Sequence, residues 1–184
     1  MVKPTTRANH LITLRENRSR RFDSNLKPAL EARGIDSGQF RQRFFQDMAL
    51  MQNRTRGSLF ELAGEVLLTG HLQQMGHAGA ELRKQVRFAA GDKLRIADFF
   101  APAIKTIFEV KSGYVVWSKP VRLQAAKDAW LLKQSPEVAQ VVWLLFRGGS
   151  ARALAGLEAA DIECFDLGFG GEAPVSKPTT VIRV

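Results

Sequence analysis

Apolar residues recur at helical spacing in the first third of the chain and at strand spacing beyond it. Leu26, Leu30 and Ile35 make one short stripe. Phe40, Phe44, Phe45, Met48 and Met51 make a second, after a break at the glycines of 34–38. The pattern predicts helix over residues 24–51, interrupted at that break. The polar, basic stretch 52–57 reads as a connection. Ser58 then stands as an N-cap, with Glu61 three residues on as its capping-box partner. The helix it opens, through Leu59, Leu62, Val66 and Leu67, is expected to end near Leu72. The two glycines of 71–79 read as a turn.

From there the period shortens. Residues 84–88, 94–100 and 106–111 read as three strands, the last two parted by a turn containing Pro102. Pro120 opens a helical stretch to Lys133. Residues 138–146 are rich in β-branched and aromatic side chains and read as a buried strand. A short Ala-rich helix over 151–159 and a last strand over 161–167 complete the order. The fold class is α/β, with an antiparallel start and a crossover helix joining later strands. Residues 1–21 read as a basic lead-in, and the tail beyond Gly168 carries little pattern.

Composition changes this picture in one respect. The chain has 184 residues and a net charge of +9. Residues 1–60 hold 12 Lys and Arg against 5 Asp and Glu, whereas residues 61–184 hold 15 against 13. A basic flank beside a nearly neutral domain suggests a polyanionic partner, with nucleic acid first and an anionic membrane surface second. Arg18, Arg20, Arg21, Arg54 and Arg56 are the candidate phosphate contacts, each equally readable as part of a solvated basic face. Cys164 is the only cysteine, which excludes an internal disulfide and a cysteine-based zinc site. The N-terminal stretch has no apolar secretory core, and no stretch reaches the length of a membrane span. The expected location is a cytoplasm, whether the producing cell's own or that of a target cell.

The chemistry concentrates in two strands. Asp98 closes the run Arg95-Ile96-Ala97-Asp98, and Glu109-Val110-Lys111 follows ten residues later. Residues two apart on a strand share a face at roughly 6.8 Å, so Glu109 and Lys111 point together. An antiparallel turn near Pro102 brings Asp98 beside them. Two carboxylates and an ammonium at one sheet edge suit metal-assisted phosphodiester hydrolysis. Carboxylates are hard ligands suited to Mg²⁺, with Mn²⁺ as its substitute. Lys111 would orient or deprotonate the attacking water, or neutralise charge on the phosphate. The base role needs its pKa lowered by desolvation or by the metal. The bland alternative is a solvated strand face carrying a weak surface ion pair.

Asp98, Glu109 and Lys111 resemble the D…ExK core of the PD-(D/E)XK, or restriction-endonuclease-like, superfamily. The α-β-β-β-α-β order over about residues 57–167 is similar to that family's. Gly57-Ser58-Leu59-Phe60-Glu61 resembles its first core helix, whose glutamate often completes the metal site. Gln124 resembles the glutamine that many members place near the catalytic lysine. Ala97 stands where many members have proline. The resemblance implies a mixed sheet flanked by helices. It also implies metal ligation by Asp98, Glu109 and Glu61, and a catalytic group of these three with Lys111 and Gln124. Glu65 competes with Glu61 for the helix position, and capping is the alternative role for Glu61.

On this reading the chain divides into a basic arm and helical extension (1–56), a nuclease core (57–168) and a tail (169–184). DNA is the expected substrate, ahead of RNA. Small size, basic charge and the lack of a recognition module resemble bacterial polymorphic or type VI-delivered toxin domains. An acidic immunity protein would be the partner of such a toxin. A phage or repair nuclease, and a non-catalytic nucleic-acid-binding protein on the same fold, are the alternatives. No H-E-x-x-H or P-loop spacing occurs, and His71 and His77 read as surface residues. Trp117, Trp130 and Trp143 read as core or interface residues, with base stacking by Trp117 as the sharper option.

Overall fold

The computed structural model describes residues 20–45 and 53–169. A π-helical turn, Phe22–Leu26, runs into α1, Lys27–Glu31, and α2 covers Ser37–Phe45. The long helix α3 covers Asn53–Gln74. The hairpin strands β1, Arg83–Ala90, and β2, Lys93–Ala101, follow. A 3-10 turn, Pro102–Ile104, leads to β3, Thr106–Lys111. Then come α4, Lys119–Gln134; β4, Gln140–Leu145; α5, Ala151–Glu158; and β5, Glu163–Asp166.

The protein is α/β, with one five-stranded mixed sheet in the order β1-β2-β3-β4-β5. The first two pairings are antiparallel and the last two parallel. Connection length follows from that choice. Antiparallel strands close through short turns, whereas parallel ones need a crossover, supplied here by α4 and α5. The β1–β2 loop is Gly91 and Asp92, and Gly91 takes φ 65, which a glycine adopts without strain.

Strand alternation divides the apolar side chains between two layers. Phe99, Ala101, Phe108, Val142 and Leu144 pack under Leu68 and Leu72 of α3. Ile107, Val141, Trp143 and Leu145 pack on the opposite face, against Ala125 and Leu131 of α4 and Ala153 and Leu157 of α5. Helices therefore cover both faces. Trp143, Ile107, Leu145 and Leu131 are among the fully buried side chains, each contributing about 1.5–3 kcal/mol.

The expected strands and helices lie within a few residues of their predicted places, with one correction. The long helix begins at Asn53, so Ser58 lies inside it and is no N-cap. The helix runs on through the stretch expected to be a connection, although of residues 53–57 only Arg54 and Arg56 are good helix formers. The boundary at 56/57 consequently falls within a continuous helix. The helical extension is not a separate body either. Phe22, Leu26, Leu30, Phe40 and Phe44 share a core with Phe60, Phe146 and Phe169. Phe44 tilts against Phe60 at 5.0 Å and meets Phe169 at 5.1 Å and Phe146 at 6.0 Å edge-on. The expectations for residues 1–19, 46–52 and 170–184 lie outside the described residues. Among the described residues, no helix is long and apolar enough to cross a membrane.

α3 approaches the sheet at Gly64. A Cβ there would meet Val110 Cγ2 at 2.8 Å and Phe99 at 3.7 Å. Gly70, on the same helix, has open space around its Cβ position. Gly64→Ala is therefore expected to destabilise by about 1–3 kcal/mol through overpacking. Gly70→Ala is expected to stabilise by roughly 0.5–1 kcal/mol through helix propensity. Denaturant unfolding of the two variants checks this, and equal effects would contradict the close approach.

Candidate active site

The site forms where β2 and β3 separate. Their pairing runs from Ala101↔Thr106 to Phe99↔Phe108 and stops. Asp98 would oppose Glu109 next, but its carboxylate turns and Oδ2 accepts the Val110 N–H at 2.8 Å. On the other side Gln85, opposite Asp98, adopts φ 51. Its Nε2 lies 3.5 Å from Asp98 Oδ1. Side-chain alternation inverts at this point. Arg95 and Ala97 face α4, whereas Phe99 and Ala101, of the same parity, face α3. Asp98 thus stands at the break between the two layers.

β3 places Glu109 and Lys111 together on the α4 face, with Val110 turned toward α3. Lys111 Nζ donates to Glu109 Oε1 at 2.7 Å and to Gln124 Oε1 of α4 at 2.7 Å. It also lies 4.5 Å from the centre of the Trp143 ring, a cation–π contact. Asp98, Glu109, Lys111 and Gln124 are therefore one cluster. Glu61 approaches from α3, and its charge is felt at Asp98. It has no hydrogen bond or ion pair to any described residue. Glu65 is committed elsewhere, pairing with Lys84 at 2.5 Å and Arg33 at 3.6 Å.

Two members of the cluster, Arg95 and Asp128, escaped the sequence reading. Arg95 is only 4% exposed. Its Nη2 donates to Glu109 Oε2 at 2.9 Å and to Asp128 Oδ2 at 3.2 Å. Its Nε donates to Asp128 Oδ1 at 2.5 Å, and its Nη1 to the Ile96 carbonyl. Asp128 is fully buried and also accepts from Trp143 Nε1 at 2.9 Å. The available signal was weak. Asp128 is four residues after Gln124 and so on the same helix face. Arg95 is three before Asp98, and nothing in the sequence marked either as buried.

The two basic candidates with described side chains, Arg20 and Arg21, make no contact with this cluster. Arg20 and Arg21 are exposed, and Arg21 donates to the Leu167 carbonyl at 3.3 Å. Arg18 lies outside the described residues, as do the side chains of Arg54 and Arg56. Trp117 is half-buried, and a Cβ at Gly156 would fall 2.4 Å from its ring. That seat on α5 makes it a packing residue. Trp143, fully buried, is both core and part of the site. Trp130 remains 39% exposed.

The electrostatics follow from burial. Removal from water pushes Asp98 up to about 7, the Glu109 and Glu61 charges add to the rise, and the Val110 N–H and Lys111 oppose it. Burial acts upward on Glu109 too, but the Lys111 and Arg95 charges and the Lys111 and Gln124 hydrogen bonds outweigh it and hold it low. Burial raises Asp128 despite its Arg95 and Trp143 bonds, while Arg95 is held above the ordinary guanidinium range. Three N–H donors aimed at the Asp128 oxygens match an ionised, acceptor-only group.

The donor set fits a hard divalent cation in kind. Asp98, Glu109 and Glu61 offer oxygens alone, Asp98 Oδ1 has only its long Gln85 contact among the described residues, and a cation would offset both the burial and the carboxylate repulsion that raise Asp98. The set is not preassembled. Among the described residues, no three Asp, Glu, His or Cys side chains are grouped to hold an ion. Glu109 has both oxygens engaged, by Lys111 and Arg95.

The raised Asp98 pKa sets a pH dependence. An unfolded aspartate titrates near ~3.9. Between that value and about 7 the folded chain keeps a proton that the unfolded chain has lost. The stability from Asp98 is thus complete below the unfolded pKa and declines as pH rises through 7. With EDTA present, Asp98→Asn should gain in Tm over wild type between pH 5 and pH 8. Thermal melts at both pH values check it, and a constant difference contradicts it.

No protein-family model, curated protein or solved structure matches this chain.

Proposed function

We propose that this protein is a metal-dependent nuclease with a restriction-endonuclease-like core, hydrolysing phosphodiester bonds in DNA ahead of RNA. The observation that carries the reading is the cluster itself. Lys111 Nζ stands 2.7 Å from both Glu109 and Gln124, beside an Asp98 anchored to the Val110 amide between them. The observed sequence of one long helix, three strands, helix and strand supports it as well, since that order resembles the superfamily's.

Asp98 and Glu109, with Glu61 from α3, are the residues that would hold Mg²⁺ or Mn²⁺. Such an ion supplies charge to a phosphoryl oxygen and makes a nearby water easier to deprotonate. The chain's own groups do the rest. Lys111 offers a third N–H to a non-bridging phosphate oxygen, where charge develops in the transition state. Gln124 fixes the lysine's direction, and the Trp143 ring closes off the side beneath it. The Asp98 hook on Val110 sets the spacing between the two carboxylate-bearing strands. Exposed Arg20 and Arg21 are the described members of the proposed phosphate-holding flank.

Purified protein should degrade plasmid DNA with Mg²⁺ or Mn²⁺ and stop with EDTA. Glu109→Ala and Lys111→Ala should each lower the rate by at least about 10²-fold, the scale of losing one transition-state contact. Intact DNA and RNA across both metals would refute the nuclease reading.

The basic charge favours an antibacterial effector, delivered into a target cytoplasm and held by an acidic immunity protein. Expression in a bacterial cytoplasm should then be toxic, and Asp98→Ala should relieve it. Colony counts measure this; harmless wild-type protein with demonstrated activity in vitro would favour a phage or repair role.

A further inference from the structure

The Arg95–Asp128 pair contributes charge to the cluster without belonging to the resemblance. Its guanidinium lies between two carboxylates in the layer under α4. Two contacts go to Asp128, through Nε and Nη2, and one to Glu109 Oε2, through the same Nη2. Asp128 is itself held by Trp143 Nε1. Arg95 and Asp128 are 4% and 0% exposed, so neither charge is screened by water. Glu109 Oε2 is thereby committed to a resident cation, and Oε1 to Lys111.

We infer that Arg95 is a resident competitor for the divalent cation at Glu109, and that Asp128 governs the competition by holding the guanidinium back. The inference rests on the metal-dependent reading above. An arginine cannot shed its proton here, and although Glu109 Oε2 keeps a second lone pair, a metal on it would sit against the guanidinium charge unless the Nη2 contact loosens. Asp128 provides the alternative seat, because the same Nη2 already lies 3.2 Å from its Oδ2. Glu109 stays neutralised in either condition, by guanidinium or by metal. Metal affinity is then set by a residue that need never touch the metal. Asp128 is a positioning residue acting through Arg95.

The sign of two substitutions separates this from a merely structural role. Arg95→Met with Asp128→Asn removes both buried charges together and keeps an acceptor for Trp143. Replacing a whole buried pair in this way is commonly tolerated, whereas removing one partner strands the other. The double variant should bind Mn²⁺ several-fold tighter, because the positive charge it deletes touches Glu109 whereas the negative charge it deletes lies beyond the guanidinium. Asp128→Asn alone leaves the guanidinium with Glu109 as its only carboxylate, and should weaken Mn²⁺ binding several-fold. Loss of structural support would weaken both.

Mn²⁺ titration followed by the free-ion electron paramagnetic resonance signal reads affinity without any turnover, with Glu109→Gln as the variant that should abolish binding. Tighter binding in the double variant and weaker binding in Asp128→Asn support the inference. If wild type binds through Glu109 but either folded variant departs from its predicted direction, the inference is overturned and the metal reading stands. If wild type and the double variant both fail to bind Mn²⁺, the metal reading falls and the inference with it.

Discussion

A single buried guanidinium organises the centre of this protein. Arg95 joins β2 to β3 through Glu109 and β2 to α4 through Asp128. Asp128 then joins α4 to β4 through Trp143. Three strands and the helix over them are thus connected by charged or polar contacts inside a layer that is otherwise apolar. Such contacts are demanding, because each buried charge left alone would cost several kcal/mol. They also fix geometry more tightly than apolar packing does, since a planar fork accepts few directions. The consequence reaches Lys111, whose partner Glu109 is held from the other side by Arg95.

The second constraint is mechanical. β2 and β3 stop pairing at Phe99↔Phe108, and the next residues, Asp98 and Glu109, are the two carboxylates of the candidate site. A separating pair leaves backbone groups without ladder partners, and those groups need a substitute. Asp98 supplies one by accepting from the Val110 amide. The same contact turns its carboxylate into the gap between the strands. Opposite it, the left-handed Gln85 marks the place where alternation inverts. Structural need and chemical placement are therefore met by one side chain. Burial, with the Glu109 and Glu61 charges adding to it, favours its protonated form despite that hydrogen bond.

The two helical layers contribute unequally. α4 gives Gln124 and Asp128 to the cluster, whereas among its described side chains α3 gives Glu61, and it is held close by the absence of a side chain at Gly64. The N-terminal helices supply no described residue to the cluster but complete the far side of α3 through the phenylalanine group around Phe44. Phe146 belongs to that group and directly follows β4. The extension is thus packed onto the same body that holds the site, although the sequence reading set it apart.

Local patterning determined much of this protein. The elements followed from hydrophobic period, proline and glycine, and the Pro102 turn placed Asp98 opposite Glu109 because antiparallel register is counted from a turn. Side-chain period two placed Glu109 with Lys111 on one face. Resemblance to a known motif added Gln124, and Lys111 does reach it at 2.7 Å. The start of α3 was misread because a capping signal at Ser58 was weighed without the upstream residues that continue the helix. Arg95 and Asp128 were decided by tertiary structure alone, whereas Trp143 was legible as core and only its contacts to Lys111 and Asp128 were not. An arginine after a leucine and an aspartate in a helix look solvent-bound in sequence, since charged residues are seldom buried. Only the stacking of α4 on the sheet removes them from water and makes them each other's partners. The inversion at Asp98 is of the same kind, because a change of face arises from pairing on both sides of a strand and leaves no mark on the strand's own residues.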